Sequence, residues 1–169
     1  MHTSLKLQSL PFSSIKTYTT AALFILGNII MPQLFHLIPQ GGITWLPIYF
    51  FTLIGAYMYG WRVGLLTALA SPLINSLLFG MPAATILPAI ILKSILLAII
   101  AGFAAARYRK VSIGILLAVV LGYQTLGTLG EWAINGDLHL ACQDFRHGIP
   151  GMLLQLFGAW LLLRPLHLQ

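Results

Sequence analysis

Lys93 is the residue of this sequence best placed to do chemistry, because it lies inside a long apolar run, TILPAIILKSILLAIIAGFAAA. In a helix that begins near Thr85, Lys93 would lie about 13 Å from the N-terminal end, at 1.5 Å of rise per residue. An ionisable group at that depth in a bilayer costs at least about 2.5 kcal/mol unless it is paired or hydrated. Two solutions are open: a buried partner, such as Glu131 or a backbone carbonyl, or an anionic group of a bound ligand.

Other polar residues fall on single faces of predicted helices. Gln124, Thr128 and Glu131 are spaced at i, i+4 and i+7, and Asn75 shares a face with Ser71. Such stripes can hydrogen-bond neighbouring helices in a membrane. Because Asn75, Gln124 and Glu131 all fall toward the same end of their predicted helices, they could instead line a shared ligand cavity.

No pattern of catalytic residues emerges, and no cofactor is expected. The sequence contains neither G-x-S-x-G nor H-E-x-x-H, and its five histidines fall outside the apolar runs. His139, Cys142 and His147 match no standard metal-site spacing. Cys142 is the only cysteine, so an intrachain disulfide is excluded. We therefore expect neither an enzyme nor a metal site.

The elements that must position these residues are membrane helices. Hydrophobic residues make up 59% of the chain and charged residues 7%, with a mean hydropathy of +0.91. A soluble domain would carry roughly 25% charged residues. The net charge of +6 forms no basic patch, which argues against nucleic-acid binding.

Six apolar stretches are long enough, or nearly so, to span a bilayer, which needs about 20 residues. We predict an all-α membrane protein, a six-transmembrane-helix bundle that forms a single domain over residues 1–169. The predicted spans are residues 18–36, 44–59, 62–79, 85–106, 111–130 and 148–166.

The basic residues predict the orientation of this bundle. Lys and Arg residues accumulate in cytoplasmic connections. Arg62 follows the second span, while Arg107, Arg109 and Lys110 follow the fourth. All three acids, Glu131, Asp137 and Asp144, follow the fifth span. Both termini are therefore expected in the cytoplasm of a bacterial cell, and the acidic connection outside the cytoplasmic (inner) membrane.

The segment YGWRVGLLTALASPLINSLLFGMPAATILPAIILKS, residues 59–94, resembles the substrate-binding S components of energy-coupling factor (ECF) vitamin transporters. The shared features are a glycine turn before the third span, S-P-L-x-N, G-M-P and a proline-bearing fourth span. The stretch GGITWLPIYF also fits. The A-x-x-x-A motif of the first span is absent, since Leu26 stands four residues after Ala22.

This resemblance implies a subunit that captures a vitamin or related micronutrient and hydrolyses nothing itself. A transmembrane coupling subunit and two cytoplasmic ATPases would supply the energy. We expect an anionic ligand because of Lys93. The implied substrate-binding residues are Lys93, Asn75, Gln124, Glu131, Trp132, Gln155 and His36.

Two alternatives remain open from the sequence. Structural proteins of the MreD type, which help to organise cell-wall machinery, share this size and helix arrangement. A nickel or cobalt uptake component would use His2, His139 and Cys142, although the predicted orientation puts His2 on the opposite side of the membrane.

Overall fold

The computed structural model describes residues 9–164, which fold almost entirely into helices. Four helices are long and apolar enough to cross a membrane: α1 (Ile15–Phe35), α4 (Trp61–Phe79), α5 (Leu87–Tyr108) and α6 (Ile113–Asn135). They coincide closely with the predicted first, third, fourth and fifth spans. An all-helical membrane protein is therefore confirmed.

The predicted second span is broken. It consists of α2 (Gly41–Trp45), a 3₁₀ turn (Pro47–Tyr49) and α3 (Phe50–Tyr59). The break falls at Leu46, which adopts a left-handed conformation (φ 46°) before Pro47. A residue before proline is driven away from the α region, so the helix cannot continue through this point.

The predicted sixth span is an apolar helix of 15 residues, Ile149–Leu163. Its parts are α9 (Ile149–Leu153), a π-helical turn (Leu154–Gly158) and α10 (Ala159–Leu163). The last predicted residues of this span lie outside the described residues. Among the described residues, neither this helix of 15 residues nor α3 is long enough to count as a full span, so the six-span count stays a prediction.

The long acidic connection is shorter than the sequence predicted, because α6 continues past Gly130 to Asn135. Helix α6 ends at Gly136, which takes the left-handed conformation (φ 70°) that glycine adopts without strain. Two short helices follow, α7 (Leu138–Ala141) and α8 (Gln143–His147). Asp137 caps α7 by accepting bonds from the His139 and Leu140 amides.

Helix α5 lies at the centre of the bundle, packed against α3, α4 and α6, while α1 covers α3 and α4. The core is fully buried at Leu53, Leu97, Leu116 and Leu163. On α5 the small residues at every fourth position differ in burial. Ala98 and Gly102 are buried, whereas Ala106 is exposed.

Candidate functional site

One end of the bundle encloses a cavity of about 480 Å³. Its walls come from the end of α1, from α2 and the 3₁₀ turn, from the connection before α5, and from α5, α6 and α8. A volume of this size lies in the range of small-molecule sites. Most of the lining is apolar: Pro32, Ile38, Pro39, Ile43, Leu46, Pro47, Ile48, Met81, Pro82, Ala83, Ile86, Ile90 and Leu140.

A cluster of three charged side chains forms one wall of this cavity. The Lys93 ammonium Nζ lies 2.5 Å from Glu131 Oε2 and 2.8 Å from Asp144 Oδ2. Lys93 and Glu131 are almost fully buried, and Asp144 is partly buried. Three separate elements, α5, α6 and α8, therefore meet through this charged cluster.

The geometry of α6 makes the cluster possible. Gly127 lies one turn before Glu131, and a Cβ atom at Gly127 would come within 2.5 Å of Lys93 Cγ. Without that Cβ, the Lys93 side chain can run across α6 toward the carboxylates. Breaking a buried ion pair by removing one partner strands the other charge and typically costs 3–5 kcal/mol.

The cluster shows how the charge of the buried Lys93 is compensated. Of the two solutions considered, the structure shows an internal partner, Glu131, and adds Asp144. Asp144 was not among the predicted site residues, because it is 51 positions away from Lys93 and no local pattern links them. The signal that could have found it is the rarity of acids: the chain has three, and two lie here.

The structure places three of the seven predicted site residues in the cavity lining. These are Lys93, Glu131 and His36, the last on the exposed loop after α1. Trp132 is about half exposed and does not contribute to the lining. Asn75, Gln124 and Gln155 are fully buried, also outside the lining.

Asn75 belongs to a hydrogen-bonded network between α1 and α4. Its Nδ2 donates to the carbonyl oxygens of Asn28 (2.9 Å) and Ser71 (3.0 Å), and its Oδ1 accepts from Gln33 (3.3 Å). Asn28 in turn donates to Thr52 Oγ1 at 2.9 Å. The hydrogen bonds of Asn75 thus join α1 to α4.

Gln124 and Gln155 meet at Tyr123. The Tyr123 hydroxyl donates to Gln155 Oε1 (2.8 Å) and accepts from Gln124 Nε2 (3.2 Å). Within the part of the chain that the structure describes, Gln124 Oε1 and Gln155 Nε2 have no hydrogen-bond partner. The Tyr123 ring packs on Tyr49, which lines the cavity. This polar group therefore lies directly behind the cavity wall.

The described residues offer no metal centre. Within residues 9–164, no group of three or more His, Cys, Asp and Glu side chains is arranged to hold a metal ion. His139 instead contacts the Arg146 guanidinium group. His2, which the metal-uptake alternative requires, lies outside the described residues.

Comparison with known proteins identifies a family. The family model "ECF transporter, substrate-specific component" matches residues 16–162. Nothing among the curated proteins or the solved structures matches the chain significantly. The matched range includes every element that forms the cavity.

Proposed function

The chain belongs to the substrate-specific components of ECF transporters, and on that premise we propose that it captures a vitamin or related micronutrient in the cavity of about 480 Å³. As a member of this family it is a membrane subunit that binds substrate for a transporter. The finer points, namely the class of ligand, the binding residues and the direction of import, are our proposal.

The observation that carries the proposal is the combination of an apolar cavity with a buried charged cluster. Binding sites for small molecules are typically concave and mostly apolar, with a few polar groups that fix the ligand's orientation. The apolar lining would hold the body of the ligand. The carboxylates of Glu131 and Asp144 would meet its polar group.

We assign direct contact with the ligand to Glu131 and His36, and add Asp144, while Lys93 would hold the two carboxylates in position. Gln124 and Gln155 would support the wall from behind through Tyr123 and Tyr49. Asn75 would hold α1 against α4. Trp132, which is about half exposed, would lie at the membrane surface, where tryptophan is common.

The expected anionic ligand loses its basis. That expectation required a Lys93 ammonium group available to the ligand, but two carboxylates already contact it. The sign of the ligand's charge must instead follow from the balance of the whole cavity.

The proposal includes the remaining parts of an importer. The chain would lie in the bacterial inner membrane with both termini in the cytoplasm, so that the cavity opens outward. A transmembrane coupling subunit and two cytoplasmic ATPases would drive release of the ligand inward. The chain itself would catalyse no reaction.

A ligand screen tests this function. The full chain, purified in detergent, is heated with each member of a complete vitamin panel, corrinoids included, and hits are verified by native mass spectrometry. A ligand present at a hundred times its dissociation constant adds about 2.7 kcal/mol to stability, so a true ligand should raise the Tm clearly. If no vitamin does so, the proposed function is wrong. Nickel and cobalt salts, tested in parallel, examine the metal-uptake alternative.

A further inference from the structure

The charge balance of the cavity points to a class of ligand. Charged side chains in the described lining are Lys93, Glu131 and Asp144, one ammonium group and two carboxylates. Counted over the lysine and the two acids, the lining carries one excess negative charge. We propose that the ligand is a cation with a largely apolar body, and that its positive group binds at the carboxylates of Glu131 and Asp144. This inference rests on the capture function proposed above.

Burial makes the excess charge significant. Glu131 is 8% exposed and Lys93 3%, so the surroundings screen charge poorly compared with water. A monovalent cation would bring the lining to neutrality, whereas a monovalent anion would raise the excess to two negative charges. An uncompensated buried charge is unfavourable, and the cavity should therefore favour the cation.

The carboxylates also have capacity for a second donor. Lys93 meets one oxygen of each, Glu131 Oε2 and Asp144 Oδ2. Among the hydrogen bonds of residues 9–164, none reaches Glu131 Oε1 or Asp144 Oδ1. An ionised carboxylate accepts bonds through both oxygens. A cationic donor could thus bind without displacing Lys93.

Asp137 and Arg146, which lie outside the lining at this end, cancel each other, so the end of the bundle keeps the sign of the lining. Asp137 caps α7 at this end of the bundle, whereas Arg107 lies in the last turn of α5, and Arg109 and Lys110 lie in the connection to α6. Arg146, the basic residue of α8, contacts His139 and does not line the cavity. A surface of this sign attracts cations toward the cavity.

A matched charge series provides the test. The full chain in lipid nanodiscs is titrated calorimetrically with 1-methylnicotinamide, nicotinamide and nicotinate, which share one ring and carry charges of +1, 0 and −1. Thiamine, riboflavin and biotin form a second, larger series with the same three charges. In a series that binds, we expect the cation to bind at least roughly 10-fold more tightly than the other two.

The outcomes separate the two proposals. If a neutral or anionic vitamin binds most tightly, in these series or in the full panel, the capture function stands and the cation inference is overturned. If no vitamin of the full panel binds, the capture function fails and the cation inference fails with it.

Two variants locate the binding group. Asp144→Asn and Glu131→Gln should each weaken binding of the cation by roughly 10- to 100-fold, because each removes a charged hydrogen-bond acceptor. Asp137→Asn is the matched control: it removes an acid at the same end, outside the lining, and asparagine still caps a helix. It should change the Kd less than twofold. If Asp137→Asn and Asp144→Asn weakened binding equally, direct contact between the ligand and Asp144 would be contradicted. If Glu131→Gln fails to fold, the Asp144 variant still tests the proposal.

Discussion

Asn75 illustrates how a polar residue inside an apolar bundle can serve the fold. Its amide nitrogen meets two backbone carbonyls, those of Asn28 and Ser71, and its oxygen accepts from Gln33. The Ser71 hydroxyl, one turn earlier, donates to the Thr67 carbonyl at 2.7 Å. Backbone carbonyls of this kind have no water to bond with in the hydrocarbon region. The network therefore joins α1 and α4 at a place where apolar packing alone would leave the pairing weakly specified.

Asn75→Ala should lower the free energy of unfolding by about 0.6–2 kcal/mol, the range for polar contacts between membrane helices. Ligand affinity should remain unchanged, because Asn75 does not line the cavity. Unfolding in a denaturing detergent and the titrations above measure the two quantities.

The control is Ser76→Ala at the next position, where no side-chain hydrogen bond is lost. Its effect on stability should be small. If Asn75→Ala instead weakened ligand binding with stability intact, the sequence-based assignment of Asn75 to the site would be right.

The sequence showed which polar side chains are buried in the bundle more reliably than it showed what those side chains contact. The depth of Lys93 in an apolar run required compensation, and Glu131 was one of the partners considered. Asp144 could not be predicted, since its approach to Lys93 depends on how α8 folds back over the bundle. The polar stripes predicted that Asn75 and Gln124 face protein, but a stripe cannot distinguish a helix contact from a cavity wall.

At the scale of the helices, glycine has two opposite uses in α6. Gly136 ends the helix, whereas Gly127 and Gly130 lie inside it and allow α5 to approach, with a Cβ at either position clashing with Lys93 or Leu92. Sequence alone does not separate these uses. This is why the predicted fifth span ended at Gly130 and left Glu131 in a loop.

Gly127→Ala tests the approach of α5 to α6. The new methyl group would need the space of Lys93 Cγ, so we expect the Lys93 side chain to shift away from Glu131 and Asp144. Tm should fall, and affinity for the ligand should fall with it, as measured by thermal unfolding and titration of the same preparation.

Gly122→Ala on the same helix is the matched control, because its Cβ would meet Ile100 at an ordinary distance of 3.8 Å. Both variants gain helix propensity of about 1 kcal/mol, so their difference reports the steric effect alone. If the two variants behaved alike, α5 and α6 would not pack as described.

The four long helices could be predicted from apolar length, because lipid imposes it. The two shorter segments could be predicted as apolar helices, but their interruptions could not. The break at Leu46 and the π-helical turn at Gln155 depend on tertiary packing. Gly151, for example, brings α9 so close to α2 that a Cβ would meet the Trp45 carbonyl.

For the molecule as a whole, the distribution of charge gives it two distinct ends. Two of the three acids line the cavity at one end, and the basic connection after α5 lies at the other end, where the Tyr57 hydroxyl donates to the Lys110 carbonyl. Membership of the family was correctly predicted from the motifs of residues 59–94. The number of spans and the side of the membrane on which each end lies remain predictions.

The single cysteine allows a direct test of sidedness. Cys142 is partly buried between α7 and α8, at the end predicted to lie outside. A membrane-impermeant maleimide applied to intact cells should therefore label the natural protein.

In a Cys142→Ser background, Ser112→Cys provides the control, since residue 112 lies in the basic connection. It should be labelled only after the membrane is permeabilised. The reverse pattern would invert the proposed orientation and would turn the cavity toward the cytoplasm.

Asp144 of α8 contacts Lys93 of α5, and this contact affects how fast a bound ligand can leave. Moving α8 away from α5 would break the ion pair between Lys93 and Asp144. A ligand bound to the Asp144 carboxylate would hold α8 more firmly in this position. We therefore expect tight capture to appear as a long residence time, with the ligand leaving slowly for as long as the Lys93–Asp144 pair stays intact.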